Sequence, residues 1–186
     1  MAAQQACFVA HNNAFRAHFV RILSIWRTIM ALNLDRTDRA LLRQLQQEGR
    51  LSNTELAERV NLSPSAALRR VQRLEAAGVI AGYAARLDAP ALGLGLAAFV
   101  RVQLAAHTAD AIARFVQVMQ AADAVIACHA LTGDMDYLLE VRVADLEHFS
   151  RFLLDRLLND AGVADVNSSF VLRTVKAARG LPLGDD

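Results

Sequence analysis

Three arginines, Arg69, Arg70 and Arg73, follow a Ser63-Pro64 pair and carry the sharpest chemical signal in this 186-residue chain. A helix that starts at this pair and buries Leu68, Val71 and Leu74 turns Ser65, Ala66, Arg69, Arg70 and Arg73 outward. A helix lodged in the major groove shows its N-terminal part to base edges, and arginine suits guanine or phosphate. The small side chains of Ser65 and Ala66 at the tip permit close approach. With the capping Ser63, these six residues form the candidate DNA-binding set. A solvated arginine face is the plainer alternative. The short helix before it, the turn and the Ser-Pro start all favour DNA.

The second cluster is Gly133-Asp134-Met135-Asp136-Tyr137. An acid beside a glycine turn can hold the ammonium of an amino acid, while nearby backbone N–H groups hold its carboxylate. On residue types alone, Gly-Asp reads first as hairpin turn chemistry. Other constellations lead nowhere. Cys128 and His129 are neighbours on a strand pattern and face opposite ways, so they cannot chelate together. His11, His18, His107 and His148 lack metal-ligand spacing. Gly93-x-Gly95-x-x-Ala98 imitates a dinucleotide fingerprint but leads into a strand instead of from strand to helix. There is no nucleophile elbow, P-loop or catalytic cysteine context. No catalytic residue, metal or cofactor is expected.

Short helices must position the arginines. Asp35 and Asp38 sit in the first turn of an apolar stripe (Ala40, Leu41, Leu42, Leu45), where the helix dipole favours acids. Ser52 or Asn53 caps a second helix, with Glu55 placed as in a capping box. Asn61-Leu62 turns into the third helix, which ends near Ala77 with Gly78 as its C-cap. This is a helix-turn-helix. Residues 79–83 read as a short extended segment. Further on, strand-like stretches at 97–104, 125–131, 137–143 and 166–175 alternate with helix-like ones at 110–121 and 146–158. The second of these helices has Leu146, Phe149, Leu153 and Leu157 on one stripe. The order β-α-β-β-α-β predicts a ferredoxin-like antiparallel sheet with both helices on one face. The other face stays bare until a partner covers it.

Composition agrees with this layout. Apolar residues make up 54% of the chain, enough for buried cores and too many for a disordered protein. The mean hydropathy of +0.24 is high, yet the longest charge-free apolar run in the body, 89–100, spans twelve residues with Pro90, Gly93 and Gly95 inside it. A membrane-spanning helix needs about 20. The surplus fits an oligomer interface instead. Two cysteines make no disulfide framework, which points to the cytoplasm. Net charge is +3 over residues 1–34, +2 over 35–85 and −4 over 86–186. A basic front suits a polyanion. In residues 1–29, Phe15, Phe19, Ile22 and Trp26 recur at helical spacing among arginines and no acids, which suits an amphipathic membrane-surface or targeting helix. The favoured account is an extension outside the fold upstream of a start at Met30, with Met1 as the other start.

Residues 33–178 resemble the Lrp/AsnC family of prokaryotic transcription factors. The resemblance rests on Leu34-Asp35-Arg36-Thr37-Asp38, on Leu62-Ser63-Pro64-Ser65 followed by Arg70-Val71-Gln72-Arg73-Leu74-Glu75 and Gly78-Val79-Ile80, and on Leu131-Thr132-Gly133-Asp134-Met135-Asp136-Tyr137-Leu138-Leu139. It implies an α+β chain: an N-terminal extension (1–32), a three-helix winged helix-turn-helix DNA-binding domain (33–82), a linker (83–96), a ferredoxin-like effector-binding and oligomerisation domain (97–178) and a tail (179–186). It also implies double-stranded DNA and an amino-acid effector as partners, and a homodimer able to assemble into tetramers or octamers, with no membrane involved. By motif position it assigns effector binding to Gly133, Asp134, Asp136 and Tyr137; by spacing along the last strand it adds Ser169 and Phe170. Met135 departs from the aromatic residue often found there. The expected function is sequence-specific transcriptional regulation in response to a small effector. An effector-independent protein that wraps DNA is the alternative, and an enzyme has little support.

Overall fold

The computed structural model describes residues 33–159, 162–178 and 180–184. The expectation for residues 1–32 lies outside them. The chain divides into two compact units, one running up to Arg86 and taking in the segment from Lys176 onward, the other Leu87–Val175.

The described residues of the first unit form three capped helices. In α1 (Arg36–Gln47), Asp35 accepts the Asp38 N–H at 2.7 Å and the Asp38 side chain accepts the Asp35 N–H in return. In α2 (Asn53–Arg59), Ser52 and Glu55 form the same reciprocal box. Each box satisfies two N–H groups that a helix start leaves open. In α3 (Pro64–Ala76), Ser63 caps and Pro64 takes the first helical position. Between α2 and α3, Asn61 adopts a left-handed backbone (φ 54°), which asparagine tolerates well, and the Leu62 N–H closes onto the Ala57 carbonyl at 2.9 Å. Ala57 and Ala67 are fully buried, so α2 and α3 pack with little side chain between them, beside Leu41, Leu56 and Val71. Gly78 (φ 71°) ends α3 in the left-handed region.

Two expectations change here. The buried stripe of α3 is Ala67, Val71 and Leu74, and Leu68 is 39% exposed. Steps of four and three hold one face of a 3.6-residue helix, whereas repeated steps of three drift around it. Residues 79–83 form bends and coil, with no ladder partner among the described residues.

The chain's end returns to this unit. The Arg43 guanidinium donates to the Leu183 and Gly184 carbonyls at 3.0 and 2.8 Å, Gln46 exchanges hydrogen bonds with Leu181 in both directions, and Arg86 donates to the Ala178 carbonyl at 3.1 Å. An added Cβ at Gly180 would collide with the Gln46 side chain, so glycine is what permits this approach. Such bonds contribute about 0.5–1.5 kcal/mol each, and exposure places these at the low end. Deleting residues 177–186 is therefore expected to speed hydrogen exchange at the α1 amides about fivefold, which corresponds to about 1 kcal/mol. Unchanged exchange would show that the tail adds nothing to α1.

The second unit is a four-stranded antiparallel sheet in the order β2-β3-β1-β4, made of β1 (Leu96–Leu104), β2 (Val125–Ala130), β3 (Tyr137–Val143) and β4 (Val163–Phe170). Helices α4 (Ala109–Gln120) and α5 (Leu146–Arg151) follow β1 and β3. Along β1, Ala98, Val100, Val102 and Leu104 are buried, packing with Phe115, Met119, Phe149 and Phe152, while Phe99, Arg101 and Gln103 remain exposed on the other side. This is the ferredoxin-like order and layering expected from β-α-β-β-α-β.

The details differ in two places. Strand β4 begins at Val163 and ends at Phe170, against the expected 166–175. Beyond it the Val171 N–H still donates to the Ala97 carbonyl at 2.9 Å, but β1 starts at Leu96, which leaves residues 173–175 no β1 partner. Beyond Arg151, α5 widens into a π-helix over Phe152–Leu158, with Phe149, Phe152 and Leu157 buried and Leu146 exposed. The five-residue step from Phe152 to Leu157 returns to the core on an i→i+5 coil and would miss it on an α-helical one.

Candidate functional site

Along α3, the candidate DNA-binding residues separate into three groups. Ser63 caps the helix, its Oγ accepting the Ala66 N–H at 3.3 Å, and Ala66 is half-buried. Ser65 and Arg69 are exposed. Arg70 and Arg73 are held by carboxylates at the start of α1. The Arg70 Nη1 lies 2.6 Å from Asp35 Oδ2 and 2.8 Å from Asp38 Oδ1, and the Arg73 Nη2 pairs with Asp38 Oδ2. Asp38 is completely buried. The Asp38 backbone N–H and the Arg70 guanidinium hold the Asp35 carboxyl below its ordinary pKa, and Asp35 in turn raises that of Arg70. The outward face left by this pairing is Ser65, Leu68, Arg69 and Gln72. Gln72 was absent from the residues inferred by sequence, although a position seven beyond Ser65 and three beyond Arg69 shares their face. A glutamine there matches the paired donor and acceptor of adenine.

The glycine loop joins β2 to β3, closed by the Leu131 N–H donating to the Asp136 carbonyl at 2.8 Å. Gly133 has φ 118°, a left-handed conformation that disfavours a side chain even though its surroundings are open. Asp134 is exposed. Asp136 is engaged: its Oδ2 accepts the Leu104 N–H at 2.8 Å, its Oδ1 lies 2.8 Å from His107 Nε2, and its own N–H donates to the Val102 carbonyl. Burial raises the Asp136 pKa, but the Leu104 N–H and His107 outweigh it, so the carboxyl lies below its ordinary range. This residue pins the loop to the end of β1. Tyr137 is half-buried against Phe115, ring centroids 4.4 Å apart, and burial raises its phenol pKa.

The loop and the first residue of β3 thus gather Gly133, Asp134, Asp136 and Tyr137. Ser169 is elsewhere. It pairs in register with Phe99, whereas Tyr137 pairs with Val102, an odd number of residues along β1 and therefore on the opposite face. Phe170 pairs with Ala98 on the helix-covered side and packs edge-on against Phe149. In β2, Cys128 stands opposite Leu139 and His129 opposite Leu138, so the two side chains diverge. Among the described residues no helix is long and apolar enough to cross a membrane.

Comparison with known proteins covers both units. Residues 34–81 match the winged helix-turn-helix DNA-binding family, and residues 97–181 match the Lrp/AsnC ligand-binding domain. The leucine-responsive regulatory proteins of Klebsiella pneumoniae and Escherichia coli are each 40% identical over 149 residues, 80% of this chain and 91% of theirs. A transcriptional regulator of Neisseria meningitidis, solved as its L-methionine complex, is 47% identical and superposes with a TM-score of 0.78 over 81% of this chain and 97% of its own. A feast or famine regulatory protein of Mycobacterium tuberculosis, also complexed with L-methionine, is 37% identical with a TM-score of 0.71, covering 80% and 99%.

Proposed function

The chain belongs to the Lrp/AsnC family of transcriptional regulators, and on that premise we propose that α3 reads DNA through Ser65, Arg69 and Gln72 while the 131–137 loop senses an amino acid. The protein is a DNA-binding regulator of transcription that responds to a small effector. One observation carries the residue-level reading. Ser65, Arg69 and Gln72 form a single exposed stripe on a helix whose other two arginines are tied to α1. Ser63 and Ala66 shape the tip of the helix, and Arg70 and Arg73 fix its orientation.

In the second unit, Asp134 offers an exposed carboxylate for the ligand ammonium, while Asp136 keeps the loop in place from behind. L-methionine, bound by two relatives, is the first effector to test. The sheet face carrying Phe99 and Ser169 is the surface for a second copy, so Ser169 joins an effector pocket only in an oligomer. A ligand that binds one arrangement better shifts the population toward it, from dimer to tetramer or octamer. Two helix-turn-helix units in one dimer then meet half-sites about one helical turn apart. The setting is cytoplasmic and the role is regulatory, with no chemistry of its own.

Arg69→Ala tests the DNA-reading stripe. A base-reading arginine is worth about 1–3 kcal/mol, so affinity for a selected operator should fall about 5- to 150-fold while a random duplex is bound much as before. Gel-shift titrations on both duplexes measure it. Equal affinity of variant and parent on the operator would remove α3 as the reading element.

A further inference from the structure

We propose that Asp35 and Asp38 determine DNA specificity by withholding Arg70 and Arg73 from the phosphate backbone. The inference rests on the assignment of α3 as the DNA-reading helix. Three arginines on a groove-binding helix would ordinarily all seek phosphates, and that attraction is blind to sequence. Here two of the three already have partners. Asp35 Oδ2 and Asp38 Oδ1 both contact the Arg70 guanidinium, and Asp38 Oδ2 holds Arg73.

Burial makes the arrangement durable. The Asp38 side chain has no exposed surface, so its charge is balanced by these two guanidiniums without help from water. Drawing either arginine away to DNA would leave a buried carboxylate short of a partner, a loss greater than one added phosphate contact returns. Asp35 is half-exposed and reinforces Arg70 from the solvent side. Arg69, one residue away on the helix, has no ion-pair partner among the described residues. The acids of α1 therefore reduce the sequence-blind attraction of α3 and leave the outward stripe to discriminate between sites.

Asp35→Asn is the cleaner test, because asparagine caps a helix as well as aspartate does and only the charge is lost. Asp38→Asn is the stronger variant. Full-length parent, Asp35→Asn, Asp38→Asn and Arg69→Ala are titrated with a random duplex and with an operator selected on the parent, at several salt concentrations. In the asparagine variants, affinity for the random duplex should rise, and the slope of log affinity against log salt should steepen by about 0.9 per released arginine. The ratio of operator to random affinity should fall severalfold. An unchanged slope, or an equal loss on both duplexes, overturns the proposal and leaves the carboxylates as packing residues. If Asp38→Asn does not fold, Asp35→Asn decides. If Arg69→Ala equals the parent on the operator, the DNA-reading assignment fails and this inference with it; a normal Arg69→Ala loss beside an unchanged slope overturns withholding alone.

Discussion

Replacing Phe115 by alanine is expected to cost the sensing unit about 3–5 kcal/mol of stability. Phe115 is fully buried on α4, among Val100, Val102, Leu139 and Val141 of the sheet. Truncation removes the transfer free energy of the ring and leaves a cavity that two strands and a helix cannot close. Its ring also supports Tyr137, the residue that ends the glycine loop. The variant should therefore lose effector affinity even at temperatures where it stays folded, because Tyr137 and the loop lose their backing. Val116→Ala, on the exposed side of the same helix, should stay within about 0.5 kcal/mol. Denaturant unfolding of both variants measures the difference. A Phe115→Ala loss below about 1 kcal/mol would mean that this core is far looser than its burial indicates.

Asp134→Asn carries the second large effect, on binding instead of stability. The side chain is exposed beside Gly133, so the change should leave the fold intact. A charge-assisted hydrogen bond contributes about 1.5–3 kcal/mol, so affinity for the effector should fall by about one to two powers of ten. DNA binding without effector should be retained, since α3 belongs to the other unit. Calorimetry with L-methionine, or with the best ligand among the other amino acids, reads the first quantity and a gel shift reads the second. Equal ligand affinity would reduce Asp134 to a turn residue. Absence of binding by any amino acid, even to the parent, would favour a protein that wraps DNA without sensing. Asp136→Asn should behave differently. Asp136 anchors the loop to Leu104 and His107, so its loss should loosen the loop before it alters any contact to ligand.

Much of this architecture was legible in local chemistry. The Ser52 and Ser63 caps are complete within three residues and the structure shows both hydrogen bonds, whereas Asp35, read as a first-turn acid, is itself the cap of α1. The strand-like stretch 97–104 is β1 within one residue at its start, and the structure buries Val100 and Val102 and exposes Phe99 and Arg101. Gly133 announced a tight turn, which the structure makes with φ 118°, and Arg69 an outward position, because a turn and a helix face depend on neighbours one turn away.

What the tertiary structure alone decided is which distant groups meet. The outward-facing arginines of α3 looked equivalent until α1 packed against it and brought Asp35 and Asp38, 32 to 35 residues away, onto Arg70 and Arg73. Leu68 moved outward because the buried alanines let α2 and α3 approach on a rotated face. The ends of β4 were set by the partner strand, and the same register carried Ser169 to the face opposite Tyr137. Residues at the chain's end found Arg43 and Gln46 more than 130 positions earlier. A capping or pleating preference is spent within a few residues of chain. Which charge neutralises which, and which side chains share a pocket, depends on how the elements pack, and packing is determined by all of them together.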